Sequence, residues 1–238
     1  MSGTMIEFKA NGRTANGYLA RPTAPRGHGI LVIQEYWGLV DHIKDLADRF
    51  AAEGFFALAP DLYHGDKAKS PDEAGKLMMA LNIAETAKDL RGAADALIAI
   101  EGVSPKQVGI VGFCMGGQLA LYGACEFPER IAAVADFYGI HPNVKLRIDN
   151  LGAPVLAHFA LKDKMTPEDR ARDLVRQLEQ AGKHIEAYFY NADHAFFNDT
   201  RPNVYSRADA HDAWKRTIEF FNRSLGFDKE LPGGRKIG

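Results

Sequence analysis

The chain has 238 residues, of which 46% are hydrophobic and 25% charged, with 29 basic side chains against 31 acidic ones. The apolar share is enough for a sizeable core, and the even charge balance implies neither a nucleic-acid partner nor a membrane surface. The start, "MSGTMIEFKANG", lacks the charged onset and apolar run of a secretory signal, and no stretch reaches the roughly 18 uncharged apolar residues of a membrane helix, so a cytoplasmic protein is expected.

Two alternating runs, "MIEFKA" and "ANGYLA", separated by "NGRT", predict an N-terminal antiparallel strand pair. The next run, "HGILVIQ" at 28–34, is continuous rather than alternating, as in a strand buried on both faces. A helix over 41–54 follows, with Asp41 as N-cap, Ile43, Leu46, Ala47 and Phe50 on one face, and Gly54 as its stop. The rhythm repeats with "FFALAP", a long helical region between Asp72 and Glu101, "KQVGIVGF" at 106–113, and a helix from Met115 to Glu126. Three more strands are expected at "RIAAVADFYG", "APVLAHFA" and "KHIEAYFYN", with a helix over 167–182 between the last two, opened by Pro167 at its first position. A final helix over 206–225 turns Trp214, Ile218 and Phe221 toward the sheet. Alternation of this kind builds an α/β protein: a mostly parallel sheet of about eight strands with an antiparallel N-terminal hairpin and helices on both faces. Without repeats or linkers, residues 1–225 form one domain and 226–238 a loosely held C-terminal tail.

Of the two cysteines, Cys114 and Cys125, the pair lies about three helical turns apart on one element and cannot form a disulfide. Cys114 has a more specific setting. It falls between a buried strand and a helix within Gly112-Phe113-Cys114-Met115-Gly116, the G-x-nucleophile-x-G pattern of a nucleophile elbow. The tight turn crowds its neighbours, which glycines tolerate, and the helix N-terminus favours a thiolate while supplying the Met115 N–H to an oxyanion. An elbow nucleophile calls for an acid and then a histidine at the ends of later strands. Asp163, in "LKDKMTP", and His194, in "ADHAFF", stand in that order. Asp193 is a second candidate to orient His194, less favoured because adjacent loop residues rarely point together. His64 and His141 lie in loops within reach of the site, His158 reads as a core residue, and His28, His42, His184 and His211 as exposed ones. Glu35 ends a buried apolar run, where a carboxylate is costly unless paired.

Taken together, "GFCMGG", "IQEYWGL", "PDLYHG", Asp163 and "DHAFFND" resemble the dienelactone hydrolase family of α/β hydrolases over about residues 4–223. The resemblance implies an α/β-hydrolase fold, a catalytic set of Cys114, Asp163 and His194 assisted by Glu35, and backbone N–H groups of Met115 and Tyr36 as oxyanion donors. It implies a carboxymethylenebutenolidase-like hydrolase of small esters or lactones that works through a thioester acyl-enzyme, without metal or organic cofactor, as a monomer or dimer. The family's carboxylate-binding arginines are missing: Asn198 stands four residues after His194, and "HGDKAKSPDEAGKLMMA" contains no arginine, leaving Arg201 or Lys67 as substitutes. Substrate would meet Trp37, Met78, Tyr138, Phe196 and Asn198, in an apolar pocket that also includes Met79, Phe137 and Phe197. The alternative function is a redox- or electrophile-sensing protein that uses Cys114 on the same scaffold; a non-catalytic binding module is a third.

Overall fold

The first two strands, β1 (Thr4–Ala10) and β2 (Arg13–Ala20), form an antiparallel pair closed by Asn11 and Gly12 alone. Both turn residues have positive φ, 52° and 71°, as the right-handed twist of a two-residue hairpin requires. Arg13 and Thr14, expected in the turn, instead pair with Ala10 and Lys9. Six further strands follow: β3 (Gly29–Ile33), β4 (Phe56–Pro60), β5 (Val108–Phe113), β6 (Ile131–Phe137), β7 (Val155–Ala160) and β8 (Ile185–Tyr190). They complete one eight-stranded sheet in the order β1-β2-β4-β3-β5-β6-β7-β8, antiparallel through β2 and β4 and parallel from β4 to β8. The computed structural model describes residues 2–139 and 141–226, so residues 227–238 of the expected tail lie outside the described residues.

Both faces of the sheet are covered, which is why its central strands read as unbroken apolar runs. Ile30 and Val32 of β3 face a layer built from α1 (Asp41–Ala52) and α6 (Arg207–Leu225), where Ile43, Leu46, Phe50 and Phe221 are buried. Leu31 and Ile33 face the opposite layer, made by Leu90 and Leu97 of α3 (Ile83–Ile98) and Leu119 and Ala120 of α4 (Met115–Glu126). On that same side α5 (Glu168–Gln180) packs over β7 and β8 through Ala171 and Leu178.

Several helix limits differ from expectation for identifiable reasons. Val40, in an extended conformation, is the N-cap of α1, and Asp41 is its first helical residue. The region from Asp72 to Glu101 is two helices, α2 (Pro71–Ala80) and α3, because Leu81 leaves the helical conformation at ψ 123° and Asn82 opens a new helix, its Oδ1 accepting from Glu85 N at 3.2 Å. Pro167 is extended, at ψ 147°, and flanks α5 as N-cap instead of opening it. On α6 the buried stripe is Ala210, Ala213, Thr217, Phe220 and Phe221; Trp214 and Ile218 are only half-buried at its margin.

Four histidines are buried among the described residues, His28, His42, His141 and His158. His158 is buried as expected, whereas His28 and His42 are buried against expectation, at 3% and 5% exposure. The His158 ring meets Tyr190 Oη through Nδ1 at 3.1 Å and Thr217 Oγ1 through Nε2 at 3.0 Å. Thr217 Oγ1 donates to Ala213 O, so Nε2 is the donor in that contact. Burial depresses the His158 pKa to about 3 and that of His42 to about 4. A depressed histidine contributes stability that is present above the unfolded pKa and is lost as pH falls, because the unfolded chain then binds more protons. From pH 6.5 to 5 that loss is roughly 1.6 kcal/mol for His158. Urea unfolding of wild type and His158→Gln at both pH values should show their stability difference shrinking by about this amount; parallel behaviour would remove the penalty from His158.

Candidate active site

The parallel registers bring the carboxyl ends of five strands to one edge. Ile33 of β3 pairs with Gly112 of β5, Phe113 with Phe137 of β6, Phe137 with His158 of β7, and Ala160 with Tyr190 of β8. Two residues past Ile33, Glu35 comes level with Cys114, and one past Phe137, so does Tyr138. Chain order also reverses here, since β4 and β5 lie on opposite sides of β3. Such a switch point leaves a crevice at the strand ends.

Cys114 stands in that crevice with φ 55° and ψ −123°, a conformation disfavoured for any residue with a Cβ. Its N–H donates to Phe137 O at 2.9 Å, and its carbonyl accepts from Gly117 N at 2.9 Å. The flanking glycines are required by contact. A Cβ on Gly112 would lie 1.9 Å from Gly116 O, and one on Gly116 would lie 2.5 Å from the carbonyl oxygens of Ile33 and Gln34. Beneath this turn Asp136 is fully buried, with Oδ1 accepting from Gly139 N at 2.8 Å, and burial pushes its pKa up to about 7.

His194 and Asp163 enter from the loops after β8 and β7. His194 Nδ1 lies 2.6 Å from Asp163 Oδ2, while Asp163 Oδ1 accepts from Met165 N at 2.7 Å and Thr166 N at 2.9 Å. Those two amides fix the carboxylate and leave one oxygen for the imidazole. Asp193 is exposed and pairs with nothing in the site. Burial disfavours a charged His194, but its electrostatic coupling to Cys114, followed by the hydrogen bond to Asp163, outweighs it and raises the pKa to about 10. Nε2 makes no aligned hydrogen bond, and Cys114 is the group it faces.

Glu35 is 2% exposed, and burial raises its pKa against the opposing influence of His194, Asn198 and Arg201. Asn198 Nδ2 donates to Glu35 Oε2 at 3.0 Å, so the Asn198 side chain is turned to the protein and not to the cleft as expected. Phe196 and Phe137, both expected in the pocket, are fully buried core residues, and Phe197 joins them at 3% exposure. Met79 is 52% exposed, whereas Met78, Tyr36 and Trp37 are half-buried, and Tyr36 and Met78 pack against the core beside α3 and α4. The Tyr36 and Trp37 rings meet edge to face at 4.8 Å. Tyr138 packs 5.0 Å from His194, fully buried, and its hydroxyl has no partner among the described residues. Arg201 is half-buried with no ion pair among the described residues, and its charge reaches Glu35, Tyr36 and Tyr138; Lys67 is exposed. His141 bonds Met78 O at 3.2 Å, and His64 sits with Arg13 and Asp89. Tyr63 goes unnoticed in the sequence although it belongs to "PDLYHG". Its hydroxyl donates to Met115 Sδ at 3.3 Å, and burial, with electrostatic coupling to Cys114 added, raises its pKa.

Neither of the two expected oxyanion donors is otherwise engaged. The Met115 N–H opens α4, where first-turn amides have no intrahelical acceptor, and the Tyr36 N–H has no protein acceptor among the described residues. Among those residues no cluster of three or more His, Cys, Asp or Glu is disposed to hold a metal. Cys125, at the far end of α4, is buried, and burial pushes its pKa up to about 11.

The model of the dienelactone hydrolase family matches residues 15–225. The chain belongs to that family. It is 39% identical to "Protein usf" of Aquifex pyrophilus over 94% of this chain and 99% of that one. It is 36% identical to a "Putative carboxymethylenebutenolidase" of Aquifex aeolicus, with the same coverage. A solved structure, "Putative Dienelactone Hydrolase" from Klebsiella pneumoniae, superposes with a TM-score of 0.83 at 30% identity, covering 94% of this chain and all of that one.

The elbow glycine and a helical glycine respond oppositely to a methyl group. Gly116→Ala should cost at least about 3 kcal/mol or prevent folding, since the obstructing atoms are backbone carbonyls. Gly75, in α2, borders open space, with no atom within 4 Å of the point a Cβ would occupy, so Gly75→Ala should stabilise by roughly 0.5–1 kcal/mol. Thermal melts of both variants check the pair.

Proposed function

We propose that the protein is a cysteine-dependent hydrolase of small esters or lactones, similar in reaction to carboxymethylenebutenolidase. The observation that carries the reading is the alignment of Cys114, His194 and Asp163 at the strained elbow, with the hydrogen bond of 2.6 Å between His194 and Asp163. His194 Nε2 takes the thiol proton, and Asp163 on the far nitrogen holds the imidazole orientation and stabilises the imidazolium. Cys114 Sγ attacks the acyl carbon, and the free Met115 and Tyr36 N–H groups receive the oxyanion. Collapse gives a thioester and releases the alcohol, which takes its proton from His194. Water, deprotonated by His194, then attacks the thioester and regenerates Cys114. Glu35 assists activation of the thiol. No metal or organic cofactor enters these steps, and the protein acts in the cytoplasm on a small-molecule substrate, as a monomer or dimer built from a single domain.

Arg201 is the cation best placed to meet a substrate carboxylate, and Trp37 and Met78 supply apolar contact. Cys114→Ala should lower kcat/KM for a p-nitrophenyl ester by at least about a thousandfold, with unchanged circular dichroism; retained turnover would remove Cys114 as nucleophile and favour a sensing role for its thiol. Arg201→Gln should raise KM for an anionic lactone about tenfold while leaving KM for a neutral ester unchanged. Equal changes on both substrates would show that Arg201 acts through the protein and not on the carboxylate.

A further inference from the structure

The 2% exposed Asn198 is locked by its neighbour. Its Oδ1 accepts two hydrogen bonds from Thr200, from N at 3.1 Å and from Oγ1 at 2.6 Å, and its Nδ2 donates to Glu35 Oε2 at 3.0 Å. Turning the amide over would set its NH₂ against the Thr200 N–H, which can only donate, so Asn198 presents an N–H to Glu35. Oε2 is thereby kept as an acceptor. Glu35 Oε1 is buried and has no hydrogen-bond partner among the described residues. A carboxylate with a single neutral donor in a buried site is poorly compensated, whereas a carboxyl protonated on Oε1 satisfies the Asn198 contact unchanged.

We propose that Asn198, locked by Thr200, is a positioning residue that assigns the two oxygens of Glu35 different roles: Oε2 is anchored, and Oε1 is the oxygen that gains and loses the proton. The inference rests on the proposed cysteine-dependent reaction and deepens it. Only the O–H bond on Oε1 is made or broken, its proton exchanging with solvent as pH changes. The groups facing Glu35 are His194 and Arg201 from the loop after β8, Tyr138 from the end of β6, and its own neighbour Tyr36; Cys114 also acts on Tyr36 and Tyr138. The titrating oxygen therefore belongs to the same group of residues as the thiol and the imidazole.

The test is the pH dependence of kcat/KM for a neutral p-nitrophenyl ester. Glu35→Gln should abolish one limb of the wild-type profile. Asn198→Leu removes the donor that stabilises ionised Glu35 and should move that limb upward by about one pH unit. Thr200→Val removes one of the two bonds that hold the amide, leaving only the backbone N–H, and should move the limb in the same direction by less. On a Glu35→Gln background neither change should move the profile further. A uniform fall in kcat/KM with unmoved limbs would reduce Asn198 to a structural part, and an equal shift on the Glu35→Gln background would assign the limb to another group such as His194. A wild-type limb that survives Glu35→Gln would overturn the proposal outright. Thr200→Val, a near-isosteric change on an exposed residue, keeps the test open should Asn198→Leu fail to fold. Failure of the underlying reaction is read separately, by turnover that persists in Cys114→Ala.

Discussion

Three backbone segments meet at the head of α4 with no space between them for a side-chain carbon. Gly112 lies under Gly116, Gly116 lies against the carbonyls of Ile33 and Gln34, and Gly117 lies against the Asp136 carboxyl. This contact fixes how closely the helix approaches β3 and β5, and it leaves Cys114 no alternative to its positive-φ conformation. A non-glycine residue there costs on the order of 1–2 kcal/mol, which the surrounding sheet sustains. Hydrogen bonds from Cys114 N to Phe137 O and from Gly117 N to Cys114 O hold the strained residue on both sides. Every other group in the site is placed relative to that fixed point.

The partners of the thiol are delivered by loops, and each loop has its own anchor. Asp163 is held by amides of its own turn, together with Thr166, whose hydroxyl donates to Tyr138 O at 3.0 Å. The His194 loop is tied at three places: Asn198 to Glu35, Ser206 N to Phe196 O, and Asp199 to Arg49 on α1, an ion pair of 2.5 Å. Helix α1 thus restrains the histidine loop from outside the crevice. The carboxyls at this edge are graded by the donors around them. Asp163 has two amides and an imidazole, while Glu35 and Asp136 have one neutral donor each and are pushed toward the protonated form by burial.

Much of the fold is legible because burial on both faces writes itself as continuous apolar sequence, and β3 through β7 are found from such runs, whereas β8 is a half-buried edge strand. The break between α2 and α3 is hidden because it falls at Leu81-Asn82, without glycine or proline; its signal is the pairing of Asn82 with Glu85 three residues on, a capping pattern. Cys114, Asp163 and His194 are legible because strand ends fix their positions along the chain. What loop side chains face is not. Asn198 is misread because its direction is set by Thr200, two residues away, and the aromatic pair Phe196 and Phe197 turns inward because Tyr138, Tyr190, Phe113 and Phe137 offer ring contacts on that side. His28 and His42 carry no pattern that distinguishes an interior imidazole from a surface one.

The second cysteine has a consequence for how this protein reports on itself. Cys125 is shut into the layer between α4 and the sheet, 1% exposed and with its thiol held protonated by burial well past neutral pH. Alkylating reagents require thiolate, so in the folded protein this sulfur is chemically silent and any thiol modification is an event at Cys114. Unfolding uncovers a second equivalent. Counting labelled sulfurs therefore separates modification at the elbow from loss of the core that surrounds it, within a single sample.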